Sequence, residues 1–394
     1  MVSITELEKK YCTGCKTCEK VCPTNAIEFI ENKDGFQEPI VNKEKCINCG
    51  ICSKKCPQLN EVKNIYLNDV EVYAAKNKDI AIQKNSTSGG VFSAFALYVL
   101  KNKGAVYGCA FNDKLVAQHI RVDNINELYK LRGSKYVQSD TMNTFVEVKN
   151  DLLKNIIVLY VGTPCQIAAL KSYLGKDFDN LLTIDLVCHG VPSPKLFSKY
   201  KEYLEKTNKA QILEYYFRNK ERNIWGGIKA VFNNNKTIYR NSRLDSYNNS
   251  FYKGMISREV CYNCKYSNSK RIGDITLADF WGIEKEHSEF YDEFGVSALI
   301  VNTQMGKRFF ENIKNDLNII KSDFSKVANK NRNLISPTER PSARNDIYCK
   351  IDAISYNKFQ KDELRFRKNV KEILKNLIPY KIKRIIKNNR IKRK

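Results

Sequence analysis

Two copies of one cysteine pattern constrain this chain more than any other feature of its sequence. Each copy reads C-x-x-C-x-x-C-x-x-x-C-P, so three thiols share a short loop and a fourth stands just before a proline. The fourth cysteine of each run in such a pair binds the other cluster. We therefore assign one 4Fe–4S cluster to Cys12, Cys15, Cys18 and Cys56, and a second to Cys46, Cys49, Cys52 and Cys22.

Two other interpretations of the eight cysteines are a disulfide framework and zinc sites. Zinc normally takes separated Cys or Cys/His pairs with four ligands per ion, not a doubled run. The 14 cysteines and the absence of an apolar amino-terminal run favour a reducing cytoplasm over a secreted scaffold. Between the two runs, Asp34-Gly35 predicts a hairpin turn. Residues 12–56 resemble a bacterial two-cluster ferredoxin throughout, and we place this domain at residues 1–60.

Length and charge suggest several domains and a basic tail. At 394 residues with 42% hydrophobic residues, the chain can form two or three cores, and its longest apolar stretch, residues 91–100, is too short to span a bilayer. The net charge is +24, of which residues 365–394 contribute half, with thirteen Lys or Arg and one Glu. We predict a basic helical tail at 341–394 that lies on an anionic membrane or a partner. The alternatives are a solvated terminus and a nucleic-acid contact. We expect a cytoplasmic protein, which the membrane-bound form of the tail would make peripheral to the membrane.

A glycine-rich loop opens the region after the ferredoxin module. A strand at 72–75 precedes Ser86-Thr-Ser-Gly-Gly90, which leads into an apolar helix beginning at Val91. A helix amino terminus can bind an anion such as a phosphate or a flavin, but this loop taken alone favours a plain helix cap. Residues 131–139 then form a basic and polar segment. We place the next domain at 70–150.

Two continuous apolar segments, 156–161 and 181–187, predict buried parallel strands joined by a helix. Cys165 and Cys188 follow these strands, at the sheet edge where open α/β sheets bind ligands. The expected fold is therefore a ferredoxin module followed by an α/β core with a partly parallel sheet, which we place at 151–340.

Six cysteines lie outside the doubled run. Cys165, Cys188, Cys261 and Cys264 are enough for another metal centre, so they form a third 4Fe–4S cluster, a zinc site or unrelated core thiols. The isolated Cys109 and Cys349 are expected to be small buried hydrophobic residues.

Several motifs, taken in order, identify a family resemblance. STSGG, SKYVQS, GTPCQ, VCHGVPS, CxxC and GDITLADFWG are similar to those of the coenzyme F420 hydrogenase/dehydrogenase beta-subunit family, whose relatives include the 7-hydroxymethyl chlorophyll a reductases. The resemblance covers about residues 1–300 and implies that the domain at 70–150 is a flavin-contacting segment. It implies FAD beside a 4Fe–4S cluster held by Cys165, Cys188, Cys261 and Cys264. The flavin-site candidates that it implies are Ser88, Gly89, Gly90, Ser134, Lys135, Tyr136 and Thr163.

Four further residues within or next to these motifs have expected roles of their own or depart from the family pattern. LADFWG departs from the more usual glycine-containing form of the last motif at Ala278. His189 is expected either to orient the metal site or to be a buried hydrogen-bonded histidine. Asp274 and Asp279 are expected to cap or hydrogen-bond rather than to catalyse.

Together these patterns predict a flavin- and iron–sulfur-dependent oxidoreductase. Electrons would pass between the ferredoxin-type clusters and a flavin, with coenzyme F420 or another small redox substrate and a redox partner protein. The alternative is an electron-relay subunit without a substrate of its own, which would contain clusters but no flavin. Nucleic-acid binding has little support, because no recognition module accompanies the basic tail.

Overall fold

The structure, a computed structural model, describes residues 4–221 and 227–367, and only isolated positions beyond them. The strands are β1 (Ile27–Glu31), β2 (Gln37–Val41), β3 (Glu71–Asn77), β4 (Ala105–Phe111), β5 (Ala117–Val122), β6 (Val158–Gly162), β7 (Leu181–Leu186), β8 (Ile212–Asn219), β9 (Gly227–Phe232), β10 (Thr237–Arg240), β11 (Ile275–Asp279), β12 (Ser297–Val301) and β13 (Leu317–Ser322). The helices are α1 (Thr17–Lys20), α2 (Ile51–Lys54), α3 (Ile80–Lys84), α4 (Val91–Lys101), α5 (Thr144–Leu153), α6 (Pro164–Leu174), α7 (Pro194–Asn208), α8 (Ser246–Tyr252), α9 (Ile283–Glu286), α10 (Gln304–Ile313), α11 (Phe324–Ala328), α12 (Arg344–Cys349) and α13 (Tyr356–Asp362).

An eight-stranded mixed sheet forms the centre of the core. Its order is β13-β3-β12-β11-β7-β6-β4-β5, and β4, β6, β7 and β11 run parallel to one another. β6 is buried along its whole length, as its continuous apolar sequence predicts. The expected α/β fold with a partly parallel sheet is confirmed.

Neighbouring residues on each strand point into different cores. Val106 and Leu159 pack beneath α4 and α10, whereas Tyr107 and Tyr160 pack against α5 and α6 on the opposite face. This alternation along a strand lets one sheet bury helices on both sides. The sheet edge at the ends of β6 and β7 is thereby held firmly.

An aromatic cluster packs beside the sheet. It joins α7, the antiparallel β10-β9-β8 sheet and α8 with Phe36 of the ferredoxin module. Tyr348 of α12 and Tyr356 and Phe359 of α13 are buried in the same cluster. Residues 344–364 are therefore part of a core, and the predicted boundary of the tail at residue 341 is too early. Most of the predicted tail at 365–394 lies outside the described residues.

The ferredoxin module consists of the β1–β2 hairpin with α1 and α2, and it lies directly on the core. Thr17 is fully buried and donates to the Ala169 carbonyl of α6, and Ser172 of α6 donates to the Lys55 carbonyl. Arg344 forms an ion pair with Asp34 at 3.1 Å. Across the described ranges, no helix is long and apolar enough to cross a membrane.

Candidate functional site

The outer cysteine group of the module lies around one cavity near the surface. The cavity is lined by Cys22, Cys46, Cys49 and Cys52, together with Ile27, Val41 and Ile47. Gly50 precedes α2 in the left-handed conformation (φ 71°), which folds the second cysteine loop back toward Cys52. The side chain of Ile47 is 63% exposed beside this cavity. These four thiols are the set that we predicted for one cluster.

The inner cysteine group surrounds a second cavity on the side of the module that faces the core. Its lining contains Cys12, Cys15, Cys18 and Cys56 with the apolar side chains of Ile4, Leu7 and Phe29. Three of these cysteines are buried, and burial raises the pKa of Cys56 to about 11. The structure thus brings together the crosswise sets of four that the doubled pattern predicts.

The core cysteine group is assembled from three separate parts of the chain. Cys165 lies in the first turn of α6, after β6, and Cys188 follows the parallel neighbour β7. A short 3₁₀ helix, Glu259–Asn263, brings in Cys261, and Cys264 ends it. The position of Cys188 is supported by Gly190, whose N–H donates to its Sγ at 3.4 Å.

The four core thiols influence one another electrostatically. Burial raises the pKa of Cys165 well above its ordinary value, and the neighbouring Cys264, Cys188 and Cys261 add to that effect. Burial likewise raises the pKa of Cys188 to about 11 and that of Cys261 to about 12. Thiols held so firmly in the neutral form become ligands when a metal centre displaces their protons. The donor set fits an iron–sulfur cluster.

The zinc alternative for the core cysteine group requires that its thiols hold a single metal ion. Among the described residues, no group of three or more His, Cys, Asp or Glu side chains is arranged to hold a single metal ion. A tetrahedral zinc, with Zn–S bonds of about 2.3 Å, brings its sulfurs to roughly 4 Å from one another. A 4Fe–4S centre holds its four thiolates farther apart than a single zinc ion does, so metal and sulfide content distinguishes the two alternatives.

Tyr266 connects the inner and core cysteine groups. Its hydroxyl donates to the Pro57 carbonyl at 3.0 Å, next to Cys56, while its ring packs in the same apolar cluster as Cys15. Burial raises the pKa of Tyr266, and nearby Cys165, Cys15, Cys264 and Cys56 raise it further. The Tyr266 carbonyl accepts from Arg271, which also pairs with buried Asp185 of β7 at 2.9 Å. The two groups are therefore held close together by packed side chains.

The first flavin-site candidates lie where α4 meets the sheet. Gly90 is in the left-handed conformation (φ 85°) at the start of α4. A Cβ on Gly89 would stand 2.4 Å from the Ala75 carbonyl oxygen, so only glycine lets this loop lie against β3. Ser88 donates to the Val296 carbonyl at 3.1 Å. Close packing on the sheet thus accounts for the glycine-rich loop by itself.

The second set of candidates lies against this loop. Ser134 donates its N–H to Thr87 at 3.0 Å, which joins the two predicted segments. The ammonium of Lys135 donates to the carbonyls of Lys130 and Arg132 at 3.0 and 2.9 Å, and burial lowers its pKa. Tyr136 stacks on the Phe251 ring at 4.3 Å. Lys135 has only one further hydrogen to offer an anion.

Thr163 lies apart from those residues, beside the core cysteines. It caps α6 with Gln166, and its hydroxyl is 3.2 Å from Cys165 Sγ. A polar chain bridges the two places, because Gln166 donates to Ser139, five residues after Ser134. His119 completes this chain at 3.2 Å from the Ser139 hydroxyl. The segment 134–139 therefore runs from the start of α4 to the core cysteine group.

A charged cluster beside Tyr136 was missed by sequence reasoning. Arg218 pairs with Asp279, and its guanidinium lies over the Trp281 ring. Lys220 donates to the carbonyls of Gln83, Ser88 and Phe294, and so closes the loop before α4 from the other side. No motif marks Arg218, which lies near the end of β8, or Lys220, which follows it, because no spacing in the sequence links them to the loop.

Four further expectations can be compared with the structure. His189 is solvent-exposed but hydrogen-bonds to Asn333, so only the hydrogen bond of the expected buried histidine is found. Cys349 is also exposed, and its interpretation as a buried hydrophobic residue is wrong as well. Asp274 accepts from Thr183 and Thr303, whereas Asp279 pairs with Arg218; both roles are the structural ones that we expected.

Comparison with known proteins finds matches for two parts of the chain. Residues 154–326 match the family described as the carboxyl-terminal part of the coenzyme F420 hydrogenase/dehydrogenase beta subunit, and residues 11–60 match the 4Fe–4S dicluster domain. A chain of the xenon-derivatised F420-reducing NiFe hydrogenase complex from Methanosarcina barkeri is similar with 14% identity and a TM-score of 0.45, over 69% of this chain and 90% of that one. Among curated proteins no match is found.

Proposed function

Because this chain is a coenzyme F420 hydrogenase/dehydrogenase beta-subunit-like iron–sulfur protein with an amino-terminal ferredoxin domain, we propose that it is an iron–sulfur flavoprotein oxidoreductase. It passes electrons between ferredoxin-type 4Fe–4S clusters and FAD, and its substrate is coenzyme F420 or another small redox molecule. A bound flavin supplies the exchange between one-electron steps and a two-electron or hydride transfer. The domains that we propose are 1–60, 70–150 and 151–340.

The observation that carries this proposal is the arrangement of the three cysteine groups in series. The outer group lies near the surface, the inner group faces the core, and Tyr266 lies between the inner group and the core group. An electron carrier needs successive centres that are close together. Three unrelated sets of structural thiols would have no reason to lie in such a series. We propose that Cys165, Cys188, Cys261 and Cys264 hold a third 4Fe–4S cluster.

The proposed flavin site extends from the start of α4 toward that cluster. Positive side chains surround the loop before α4: Arg132 donates to Ser93 in the first turn of α4 at 3.1 Å, and Lys135 and Lys220 lie on either side. A positively charged environment of this kind favours the binding of a ligand that contains a diphosphate. Tyr136 supplies an aromatic face, and Thr163 marks the end nearest Cys165.

Flavin content tests this function and separates it from the relay alternative. Anaerobically purified protein should contain about one flavin per chain. Replacing Lys135 with Met removes a partly buried cation and should weaken flavin binding about tenfold, which corresponds to about 1.4 kcal/mol. Lys130→Met is the matched control, because Lys130 pairs with Glu127 on the surface and should have no effect. Protein that is rich in iron but never binds flavin would support the relay alternative instead.

The outer cysteine group suggests where a partner protein docks. Ile47 and Ile51 are exposed around it, and the exposed Lys43, Lys45 and Lys54 make the same surface basic. The exposed Glu44 lies between Lys43 and Lys45, so the surface is mainly, not wholly, basic. Exposed apolar residues within a mainly basic surface suit a transient complex with an acidic protein. We propose that an acidic electron-carrier protein, such as a ferredoxin, docks on this surface.

Exchange of electrons with a reduced acidic ferredoxin tests the docking surface. Ile47→Asp should slow it about tenfold, and the rate should fall as salt is raised. Ile65→Asp changes another isoleucine, 78% exposed and in the linker, and should leave the rate unchanged. Equal effects of the two substitutions would place the docking surface elsewhere.

A further inference from the structure

Arg258 is a buried arginine that lies between the inner and core cysteine groups. Its main chain belongs to the core site, since its N–H donates to the Val191 carbonyl and its carbonyl accepts from Cys261, both at 2.9 Å. Its side chain reaches the ferredoxin module, where Nε donates to the Cys12 carbonyl at 2.7 Å. One residue thus contacts the loops of both groups, although Cys12 and Arg258 are 246 positions apart in the chain.

Among the described residues, no carboxylate forms an ion pair with Arg258, in contrast to the other two buried arginines. Arg271 pairs with Asp185 at 2.9 Å, and Arg344 pairs with Asp34 at 3.1 Å. The two terminal nitrogens of Arg258 donate instead to the Gln138 side-chain oxygen and the Gln37 carbonyl, at 3.0 and 2.9 Å. Its side chain is 4% exposed. A buried charge without a counter-charge is costly, so an anion nearby should balance it.

The nearest candidates for that anion are the two cysteine groups. Arg258 meets a loop of each group: its Nε donates to the Cys12 carbonyl, and its own carbonyl accepts from the Cys261 N–H. The module is shaped for this approach: Gly14 has φ 69°, and a Cβ there would stand 2.7 Å from Arg258 Nη1. A 4Fe–4S centre with four thiolates carries net negative charge, and that charge increases by one on reduction.

We propose that Arg258 is a shared positioning residue that stabilises the reduced state of both the inner and the core centre, and so keeps their reduction potentials close together. The inference rests on the proposed function, because it requires clusters at both groups. A fixed cation in a medium of low polarity favours the form with more negative charge. Arg258 therefore makes each of these two centres easier to reduce, while the outer centre is beyond its direct contacts.

Redox titration of the full chain, followed by electron paramagnetic resonance, tests this proposal. In Arg258→Met, two of the three couples should become about tenfold harder to reduce, which corresponds to about 59 mV for a one-electron couple. For the third couple, the equilibrium constant for reduction should change less than threefold. The loss of this couple in Cys49→Ser identifies it as the outer centre. Arg258→Lys keeps the charge, so the equilibrium constants for reduction of both centres should stay within threefold of those of the unchanged protein.

Two controls separate the charge from the docking contacts. The double variant Arg344→Met with Asp34→Asn removes another buried guanidinium between module and core, together with its partner, and should move no potential. If Arg258→Met loses iron, Arg258→Gln provides the same neutral test with a smaller change in polarity. The proposal is overturned if a neutral variant with full iron content moves neither couple or only one, or if Arg258→Lys shifts both as much as the neutral variant does. Fewer than three iron–sulfur couples in the unchanged protein would instead contradict the proposed function.

Discussion

The ferredoxin module and the core build cysteine sites in different ways. Each site of the module takes three thiols from one short loop and a fourth from the other copy, so sequence spacing nearly determines it. The core site takes Cys165 and Cys188 from the ends of neighbouring parallel strands, and Cys261 and Cys264 from a distant loop. A site of the second kind exists only when the sheet has formed, so it should depend on the stability of the core.

The largest expected effect is the loss of one centre without the other two. Cys188→Ser should remove about four of about twelve irons, because a 4Fe–4S cluster missing one thiolate is poorly held. Cys49→Ser should also remove about four, but from the module. Iron and acid-labile sulfide analysis after anaerobic purification measures both losses, and Cys109→Ser, in the core but outside the three groups, should lose none. Complete iron in Cys188→Ser would mean that the core thiols are structural.

Protonation of His119 at low pH should destabilise the core, and the module should not be affected in this way. Burial lowers the pKa of His119 to about 4, below its ordinary 6.5, so the folded state holds it neutral. The stability that this contributes is present above pH 6.5 and is lost as the pH falls toward 4. At pH 5 the loss is about 2 kcal/mol. The module contains no histidine, since all three in the chain lie beyond residue 60.

Thermal unfolding at pH 7 and pH 5 measures this difference. His119→Gln should show a smaller drop in the melting temperature of the core between these values than the unchanged protein does. Ser139→Ala removes a hydrogen-bond partner of His119 but no titrating group, so its drop should match that of the unchanged protein. An equal drop in all three proteins would assign the acid sensitivity to other groups.

The smallest expected effect concerns the contact between the two regions. Tyr266→Phe keeps the ring but removes the hydrogen bond to the Pro57 carbonyl, which should lower the free energy of unfolding by about 1 kcal/mol. Iron content should not change. Tyr129→Phe, at a ring 64% exposed, is the matched control and should have no effect on stability. A loss of iron in Tyr266→Phe would mean that the core site needs the module to be tightly docked.

Features set by neighbours in the chain could be predicted from the sequence. The strands expected at 156–161 and 181–187 form β6 (Val158–Gly162) and β7 (Leu181–Leu186), and the helix expected to begin at Val91 is α4 (Val91–Lys101). Alternation, turn residues and apolar runs are local signals, so they need no knowledge of the fold. The crosswise sharing of Cys22 and Cys56 was predictable for the same reason.

Features set by distant contacts could not be predicted. Nothing in the spacing of Arg258 or Tyr266 indicates that they contact Cys12 and Pro57, because the docking of the module on α6 creates those contacts. The predicted tail includes residues 344–364, although their four Lys or Arg and four Asp or Glu give no net charge. Their apolar side chains pack on elements far away in the chain, and the sequence does not show which surface an apolar face will meet. Lys135 was expected to meet an anion, whereas two backbone carbonyls already hold it.

The central claim is that the core holds a third iron–sulfur centre in series with the pair in the ferredoxin module. Metal and sulfide analysis of the anaerobically purified full chain tests it most directly. We predict about twelve irons and about twelve acid-labile sulfides per chain, three times the content of one 4Fe–4S cluster, with no zinc. About eight irons accompanied by one zinc would contradict the account.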